Sequence, residues 1–405
     1  MQFGLLGKKL GHSYSPQIHS HLGDYPYDLF EKSPEELDDF LKNGDFDGLN
    51  VTIPYKKTVI PYCESLSPIA QRLGSVNTLI RRNDGKLVGH NTDYFGFKTM
   101  LLKSGVPVKD RLVVVLGAGG ASNTVVAVLE EMDAIIHVIS HKENTPETLS
   151  RNGDAVLLVN ATPVGMYPNN GETPIDLGYF PKLEGVLDLI YNPARTRLLL
   201  DAEERGLVAV NGLEMLVAQA KESAEWFIHR AIPDGEIDRI YVELRNQMEN
   251  IVLIGMPGSG KTTIGAKIAE LSGRQHVDAD TYLVEKAGRP ISDIFAKDGE
   301  DAFRRLETEV LQELGKRSGL VISTGGGCVT RPENYSLIHQ NGTIFRIRRD
   351  LELLPIEGRP LMQNTAKTDM FRVRDPLYNQ FADYQIDNST TPEAAAAEIL
   401  HLLEE

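Results

Sequence analysis

Two phosphate-binding loops of different kinds occur in this one chain. The first, GAGGAS at residues 117–122, follows the apolar run 113–116, and the second, GMPGSGKT at residues 255–262, follows the apolar run 251–254. Loops of the first kind hold the pyrophosphate of a dinucleotide, whereas loops of the second kind hold the phosphates of ATP or GTP. The chain is therefore expected to contain at least two nucleotide-binding α/β regions, one suited to redox chemistry and one to phosphoryl transfer.

Length and composition limit the classes of protein that this chain can represent. A chain of 405 residues is too long for one ordinary core, so two or three domains are expected. The net charge of −15 argues against nucleic acid or an anionic membrane as a partner. No apolar run approaches the ~20 residues of a membrane span, and two cysteines give no disulfide framework. We expect a cytoplasmic enzyme that acts on small molecules, either as a monomer or as a homodimer.

The order of strand-like and helix-like stretches predicts an α/β fold throughout. Residues 1–94 form a small α/β unit, to which the helix-like stretch 213–232 returns. Residues 95–212 show the strand, glycine loop, helix and second strand of a dinucleotide-binding Rossmann-type domain. A charged segment at 233–249 is interpreted as a linker. Residues 250–405 form a P-loop domain with a parallel sheet, and its last helix has Thr391 as N-cap and Pro392 at the first helical position.

The end of the second dinucleotide-binding strand bears on the choice of cofactor. Enzymes that use NAD usually place an acidic residue there to bind the ribose 2′-hydroxyl. Here Ser140, His141 and Lys142 follow the strand, so no acid stands at its end and two groups that can carry positive charge come next. This pattern favours a 2′-phosphate and hence NADP.

Polar residues follow several of the predicted strands in the first half of the chain. Strand ends are where α/β folds place their ligands, and a substrate with several hydroxyls needs many neutral donors and acceptors. These residues are Ser13, Ser15, Asn50, Thr52, Lys56, Asn77, Asp93, Asn160, Thr162 and Tyr191.

In this set and order, residues 1–230 resemble shikimate dehydrogenase. The resemblance implies a substrate domain at 1–94 and 213–232, an NADP domain at 95–212, and reversible reduction of 3-dehydroshikimate to shikimate by NADPH. It implies that Lys56 and Asp93 are the catalytic pair. The substrate-binding residues would be Ser13, Ser15, Asn50, Thr52, Asn77, Tyr191 and Gln219. The cofactor-binding residues would be Gly117, Ala118, Gly119, Gly120, Ala121, Ser140, His141, Lys142, Asn160, Thr162 and Gly212.

The chemistry of ketone reduction gives Lys56 and Asp93 their expected roles. Hydride that arrives at a ketone carbon leaves negative charge on the oxygen, and a lysine ammonium stabilises that charge and delivers the proton. A carboxylate beside it orients both the lysine and the substrate hydroxyl. The chain departs from the family at residues 140–142, where an Asn-Arg-Thr or Asn-Arg-Ser stretch is usual; His141 and Lys142 would have to replace the missing arginine.

The second loop has all the positions of a P-loop. The backbone N–H groups of residues 258–261 would hold phosphates, Lys261 would reach the β- and γ-phosphates, and Thr262 would bind Mg²⁺. Downstream lie the pair Asp278 and Asp280, an arginine and a glutamate three residues apart on one helix face, and a run of three glycines. The ATP-binding residues would be Gly258, Ser259, Gly260, Lys261, Thr262 and Thr263.

Residues 250–405 resemble shikimate kinase through these motifs, through Arg359-Pro-Leu and through Arg374-x-Pro-x-Tyr. The resemblance implies phosphorylation of the shikimate 3-hydroxyl by MgATP. Asp280 would orient and deprotonate that hydroxyl, and Arg359 would come from a mobile lid to stabilise the transferring phosphoryl group. The other roles would fall to Arg304 and Arg374 for the substrate carboxylate, Glu307 for holding Arg304, Gly326 near the acceptor, and Thr262 with Asp278 for Mg²⁺.

The two halves together predict a bifunctional enzyme of chorismate biosynthesis, in which the product of the first site is the substrate of the second. Two alternatives stay open at this point. One domain could be a non-catalytic or regulatory module, because residues 140–142 and the short stretch before Arg359 depart from the family patterns. The dehydrogenase could also act on quinate instead of shikimate.

Overall fold

The computed structural model describes residues 2–11, 13–354 and 367–404. The chain divides into two compact units. Unit 1 comprises Met1–Gly165, Gly171–Tyr191 and Leu198–Glu243, and unit 2 comprises Met166–Asn170, Asn192–Arg197 and Leu244–Glu405.

The first sheet of unit 1 is mixed. Its strands are β1 (Phe3–Gly7), β2 (Tyr27–Glu31), β3 (Gly48–Val51), β4 (Cys63–Leu66), β5 (Thr78–Arg81) and β6 (Leu87–His90), in the spatial order β2-β1-β3-β5-β6-β4. The connecting helices are α1 (Ser15–Leu22), α2 (Pro34–Asn43) and α3 (Pro68–Leu73). The pairs β3–β5 and β5–β6 are antiparallel, and the other pairs are parallel. Helix α2 begins where it does because Ser33 and Glu36 form a capping box around Pro34.

The second sheet of unit 1 is parallel. Its strands are β7 (Leu112–Leu116), β8 (Ile135–Ile139), β9 (Leu157–Asn160), β10 (Gly185–Asp188) and β11 (Val208–Val210), in the order β11-β10-β9-β7-β8. The accompanying helices are α4 (Asp93–Ser104), α5 (Gly120–Glu131), α6 (Pro146–Arg151) and α7 (Arg197–Glu204). Helices cover both faces of such a sheet, which explains why β7 is a continuous run of fully buried valines between its terminal leucines.

Two further helices follow β11. Helix α8 (Leu213–Ile228) packs against α1 and α4, and its Phe227 stacks on Phe3 of β1 with ring centroids 4.6 Å apart. Helix α9 (Gly235–Met248) occupies most of the segment that we interpreted as a linker. That segment is therefore regular structure along most of its length.

The sheet of unit 2 is also parallel. Its strands are β12 (Asn250–Ile254), β13 (Gln275–Asp278), β14 (Leu320–Ser323), β15 (Gly342–Arg348) and β16 (Tyr384–Asp387), in the order β13-β14-β12-β15-β16. Its helices are α10 (Lys261–Ser272), α11 (Ala279–Ala287), α12 (Ile291–Asp298), α13 (Glu300–Gly315), α14 (Glu333–His339), α15 (Lys367–Phe381) and α16 (Pro392–Glu404). The predicted cap of α16 is present, because the Ala394 N–H donates to Thr391 Oγ1 at 3.2 Å.

The predicted fold class is confirmed: the chain is α/β, with a mixed sheet and a parallel Rossmann-type sheet in unit 1 and a parallel P-loop sheet in unit 2. Both phosphate loops leave the carboxyl end of a strand that is flanked on both sides and enter a helix. Among the described helices, none has the length and apolar character that crossing a lipid bilayer requires.

Candidate active sites

Lys56 and Asp93 form an ion pair in unit 1. The Lys56 ammonium donates to Asp93 Oδ2 at 2.5 Å, although 37 residues separate the two in sequence. Asp93 is the first residue of α4, where the helix dipole favours a carboxylate, and its N–H donates to Asn91 Oδ1 at 3.1 Å. The fold thus brings the predicted catalytic pair together, and both side chains keep some contact with solvent.

Asn77 fixes the second oxygen of Asp93. Its amide nitrogen donates to Asp93 Oδ1 at 2.9 Å, and its amide oxygen accepts the Thr92 N–H at 2.7 Å. Thr92 in turn contacts the predicted substrate residue Gln219 of α8, with 3.4 Å between Thr92 Oγ1 and Gln219 Oε1. One connected network therefore links these predicted residues to the catalytic pair.

Asn50, at the carboxyl end of β3, lies in a second polar cluster. The Tyr27 hydroxyl donates to Asn50 Oδ1 at 2.7 Å, and the Asn50 amide donates to Thr78 Oγ1 at 3.3 Å. The Ser223 hydroxyl approaches Asn50 Oδ1 at 3.4 Å from α8. These bonds fix the orientation of the Asn50 amide, because its oxygen faces two hydroxyl donors.

The remaining predicted substrate residues of unit 1 lie in loops or, for Ser15, at the first position of α1. Ser13 and Ser15 are joined across the start of α1, where the Ser15 N–H donates to Ser13 Oγ at 3.2 Å. Tyr191 meets Tyr14 edge to face with ring centroids 6.2 Å apart, and burial raises the pKa of its hydroxyl. Thr52 follows β3, and its N–H donates to the Leu6 carbonyl at 2.9 Å.

The glycine loop presents its backbone to solvent. The loop residues Ala118, Gly119, Gly120 and Ala121 are exposed, with Gly117 half-buried before them. A β-carbon added at Gly119 or at Gly120 would meet nothing within 4 Å, so the space beside these two residues is open at the start of α5. This geometry can receive a pyrophosphate.

Three other predicted cofactor residues lie at the same edge of the sheet. Asn160 ends β9 and is fully buried; it donates to Asp188 Oδ1 at 3.0 Å and accepts from the Thr162 N–H at 3.0 Å. Both the nitrogen and the oxygen of the Asn160 amide are thus bonded to protein groups, which favours a positioning role for this residue. Gly212 caps α8, and its N–H donates to the Ile190 carbonyl at 3.0 Å.

No acid directly follows β8, as predicted, but Glu143, four residues beyond the last residue of the strand, bonds back to Ser140. Glu143 turns back toward the strand, and its Oε2 accepts from Ser140 Oγ at 2.6 Å and from the Ser140 N–H at 3.2 Å. A short turn makes this possible, because the Glu143 N–H donates to the Ser140 carbonyl at 3.0 Å. His141 and Lys142 are both exposed. The strand end therefore carries a carboxylate beside the two predicted cationic groups.

The P-loop of unit 2 holds its own lysine. Lys261 is buried, and its ammonium donates to the carbonyls of Gly255 at 2.9 Å and Met256 at 3.1 Å. Gly260 has a φ of 100°, and a β-carbon there would overlap the Asn388 amide, so the position requires glycine. Ser259 is buried, whereas Thr263 is exposed in the first turn of α10.

Thr262 and Asp278 meet beside the P-loop. The Thr262 hydroxyl donates to Asp278 Oδ2 at 2.8 Å, and Asp278 Oδ1 caps α11 by accepting the Thr281 N–H at 3.0 Å. Among the described residues no cluster of three or more His, Cys, Asp or Glu side chains could hold a metal. A hydroxyl and a carboxylate nevertheless suit Mg²⁺, which takes its other ligands from water and phosphate.

Buried charged side chains line the same cleft as the P-loop. Arg304 donates to Glu307 Oε2 at 2.7 Å, and the two side chains are only 6% and 2% exposed. Burial raises the pKa of Glu307 even though the Arg304 guanidinium opposes the shift. Burial also raises the pKa of Asp280, with a smaller contribution from the negative charge of Asp278. Such shifts of carboxyl groups within a cleft are typical of functional sites.

The glycine run fits closely around these groups. A β-carbon at Gly327 would overlap the Arg304 guanidinium, so any side chain there would displace that group. The Gly326 carbonyl accepts from Arg374 Nη1 at 3.0 Å and also from the Tyr378 hydroxyl. A cleft of about 400 Å³ is lined by Gly258, Lys261, Thr262, Asp278, Asp280, Arg304, Glu307, Gly326 and Arg374, all of them predicted site residues. Arg359, the predicted lid residue, lies outside the described residues.

Two family models match the chain. A shikimate dehydrogenase substrate binding domain matches residues 5–79, and shikimate kinase matches residues 257–404. The NADP(+)-dependent shikimate dehydrogenase of Clostridium beijerinckii is 37% identical over 246 residues, which cover 55% of this chain and 90% of that protein. The chain belongs to the shikimate dehydrogenase family. Its C-terminal region is a shikimate kinase domain.

Solved structures agree with this assignment. Shikimate 5-dehydrogenase from Thermus thermophilus, in complex with NADP(H) and shikimate, is 31% identical with a TM-score of 0.54, over 60% of this chain and 99% of that one. Quinate dehydrogenase from Corynebacterium glutamicum, in complex with NAD, is 26% identical with a TM-score of 0.54, over 60% and 99%. The predicted recognition of both families is confirmed, and the shikimate dehydrogenase fold is joined in this chain to a shikimate kinase domain.

Several residues of the shikimate dehydrogenase region were missed by sequence reasoning. Tyr27, Thr92 and Ser223 each bond to a predicted substrate residue, and Glu143 lies at the end of β8. Thr92 adjoins Asp93 in the sequence, which is a signal that could have identified it. The others come from distant elements or from a turn, and the pattern of the sequence does not reveal them.

Proposed function

We propose that unit 1 reduces 3-dehydroshikimate to shikimate with NADPH and that unit 2 then phosphorylates the shikimate 3-hydroxyl with MgATP. The observation that carries the first half is the ion pair of Lys56 and Asp93 inside a polar network that also includes Asn77 and Gln219. The observation that carries the second half is a cleft that joins a P-loop to buried acidic and basic side chains.

In the dehydrogenase, Lys56 is the proton donor. When bound, the nicotinamide supplies hydride to the C3 carbonyl carbon, and the Lys56 ammonium donates its proton to the carbonyl oxygen as the alkoxide charge develops. Asp93 accepts a hydrogen bond from Lys56 and keeps the ammonium in position. Asn77 holds the carboxylate from the other side, so the pair is ordered before substrate arrives.

The dinucleotide loop suits the pyrophosphate of NADPH. Open space beside Gly119 and Gly120 leaves room for the phosphate oxygens at the start of α5. The family relative named above is NADP(+)-dependent, which supports the same cofactor here. His141 and Lys142 are exposed on the turn after β8, and they are the residues that we assign to the 2′-phosphate.

In the kinase, Asp280 is the proposed base. The shikimate 3-hydroxyl oxygen bonds to the γ-phosphorus while the bond from that phosphorus to the β–γ bridging oxygen breaks, and the hydroxyl proton passes to Asp280. The raised pKa of Asp280 makes it a stronger base than an ordinary aspartate. Arg304 and Arg374 bind the shikimate carboxylate, and Lys261 stabilises the charge on the phosphates.

Thr262 and Asp278 are the residues that would hold Mg²⁺. Their oxygens are already 2.8 Å apart, and both line the cleft with Lys261. The ion would neutralise phosphate charge when bound. The chain's own part is to place a hydroxyl and a carboxylate next to the P-loop.

Two separate assays on the purified chain test the proposal. NADPH with 3-dehydroshikimate should give shikimate, and ATP with Mg²⁺ and shikimate should give shikimate 3-phosphate and ADP. A chain that performs only one of the two reactions would support the alternative in which the other domain is regulatory. Quinate is the matched alternative substrate for the reverse dehydrogenase reaction, and a kcat/KM for quinate above that for shikimate would contradict the proposed substrate.

A further inference from the structure

Glu143 places an ionised carboxylate at the carboxyl end of β8. Both of its hydrogen bonds to Ser140 use the same carboxylate oxygen, at 2.6 Å from the hydroxyl and 3.2 Å from the backbone nitrogen. The Ser140 hydroxyl and then its N–H hold the pKa of Glu143 below its usual range. The group is therefore charged at neutral pH, and it is exposed to solvent.

The end of β8 lies next to the glycine loop. Strands β7 and β8 are paired in parallel from Leu112 and Ile135 to Leu116 and Ile139, and the Gly117 N–H donates to the Ile139 carbonyl at 2.9 Å. In dinucleotide-binding folds of this kind, the adenosine ribose reaches the end of the second strand. Glu143 is thus positioned where the ribose 2′-substituent arrives.

We propose that Glu143 is a specificity-determining residue of the dinucleotide site, which weakens the binding of a 2′-phosphate relative to a free 2′-hydroxyl. This inference rests on the proposed dehydrogenase function. The Glu143 carboxylate repels a phosphate. It also accepts hydrogen bonds from the N–H and the hydroxyl of Ser140, which a phosphate would otherwise use as donors. Lys142 supplies positive charge on the same turn but lacks the planar fork of an arginine, so attraction and repulsion oppose each other at this position.

The variant Glu143→Gln separates charge from structure. Glutamine keeps an oxygen that can accept from Ser140, so the turn is preserved while the negative charge is removed. The matched control is Glu204→Gln on α7, which connects β10 to the edge strand β11, at the opposite side of the sheet from the edge strand β8. Both variants change the net charge of the chain by the same amount.

The binding of two cofactor fragments to the full chain provides the measurement. Titration calorimetry with 2′,5′-ADP and with 5′-AMP compares ligands that differ only in the 2′-phosphate and that support no turnover. We expect E143Q to bind 2′,5′-ADP about fivefold more tightly than the wild type, with a smaller gain at high salt, and to bind 5′-AMP no more tightly. E204Q should bind both fragments as the wild type does.

Two results would overturn the inference. One is an unchanged affinity of E143Q for 2′,5′-ADP, and the other is an equal gain in E143Q and E204Q, which would indicate a global effect of charge. Reduction of 3-dehydroshikimate by NADPH and by NADH is measured on the same samples. Turnover with unchanged fragment affinities refutes only the role of Glu143, whereas absence of turnover with either cofactor refutes the proposed dehydrogenase function.

Discussion

The two candidate sites differ in the kind of polar side chains that form them. In the dehydrogenase site the central ion pair, Lys56 and Asp93, has side chains 30% and 19% exposed and is surrounded by neutral amides and hydroxyls. In the kinase site the ion pair of Arg304 and Glu307 is 6% and 2% exposed. One site therefore depends on directional neutral hydrogen bonds, whereas the other depends on buried charges that are stable only beside their partners.

The largest expected effects test whether the two sites are chemically separate. Lys56→Ala should lower the dehydrogenase kcat by about 10²–10⁴-fold, because it removes the proton donor, and should leave the kinase rate unchanged. Lys261→Ala should lower the kinase kcat by about 10²–10³-fold and should leave NADPH oxidation unchanged. Initial rates of both reactions on each variant provide the measurement.

Neighbouring lysines supply matched controls for these two variants. Lys57→Ala changes the exposed lysine next to Lys56, and Lys267→Ala changes another lysine of α10. Both should keep both activities. If K56A or K261A abolished both reactions in a folded chain, the description of two separate sites would be wrong.

The next largest effect concerns stability. Glu307→Gln should lower the free energy of unfolding of unit 2 by about 3 kcal/mol, because it leaves the buried Arg304 charge without its closest partner. Asp93→Asn should cost less than about 1 kcal/mol, since the Lys56–Asp93 pair is partly solvated.

The single tryptophan allows the two units to be followed separately. Trp226 lies on α8 in unit 1 and stacks on His90 with ring centroids 4.3 Å apart, so its fluorescence reports the unfolding of that unit. Calorimetry reports both units. E307Q should move a calorimetric transition while the Trp226 transition stays in place; a shift of the fluorescence transition instead would contradict the prediction.

The phosphate loops and the fold class could be predicted from the sequence because their signals are local. A strand, a glycine loop and a helix occur within one short stretch, as at residues 113–131 and 251–272, and the regular spacing fixes the type of each element. The cap of α16 was predicted for the same reason. The contacts around Asn50 could not be predicted, because Ser223 lies 173 residues away and Tyr27 lies on β2.

Glu143 shows a different limit of the sequence pattern. The sequence places it three residues beyond Ser140, and only the turn geometry brings its carboxylate back to the strand end. The burial of the Arg304–Glu307 pair could not be predicted either. The sequence predicted that the two residues share a helix face, but not that a β-carbon at Gly327 would overlap the Arg304 guanidinium.

A smaller effect is expected in the pH dependence of the kinase. Asp280 accepts a proton only when ionised, and its pKa is raised above the ordinary value, so kcat/KM should rise with pH through a limb that lies above the usual range of aspartate. The residual activity of Asp280→Asn should lack this limb. The measurement is kcat/KM of the wild type and of D280N across the acid range of pH. A limb that persists in D280N would show that a group other than Asp280 causes it.

The smallest effect concerns the neutral hydrogen bonds of the dehydrogenase. Tyr27→Phe removes the donor that orients the Asn50 amide, and we expect KM for 3-dehydroshikimate to rise about fivefold with little change in kcat. The matched control is Tyr62→Phe, which removes an exposed hydroxyl that donates to Asp38. Steady-state kinetics of both variants test this, and equal KM values for Y27F and the wild type would show that Asn50 needs no such support.

The two proposed reactions can be followed in sequence on one sample of the chain. The intact chain is supplied with 3-dehydroshikimate, NADPH and MgATP, and the products are followed by phosphorus NMR together with the loss of NADPH absorbance. We expect shikimate 3-phosphate to accumulate in step with NADPH oxidation, after a lag in which shikimate forms. Oxidation of NADPH without any phosphorylated shikimate would contradict it.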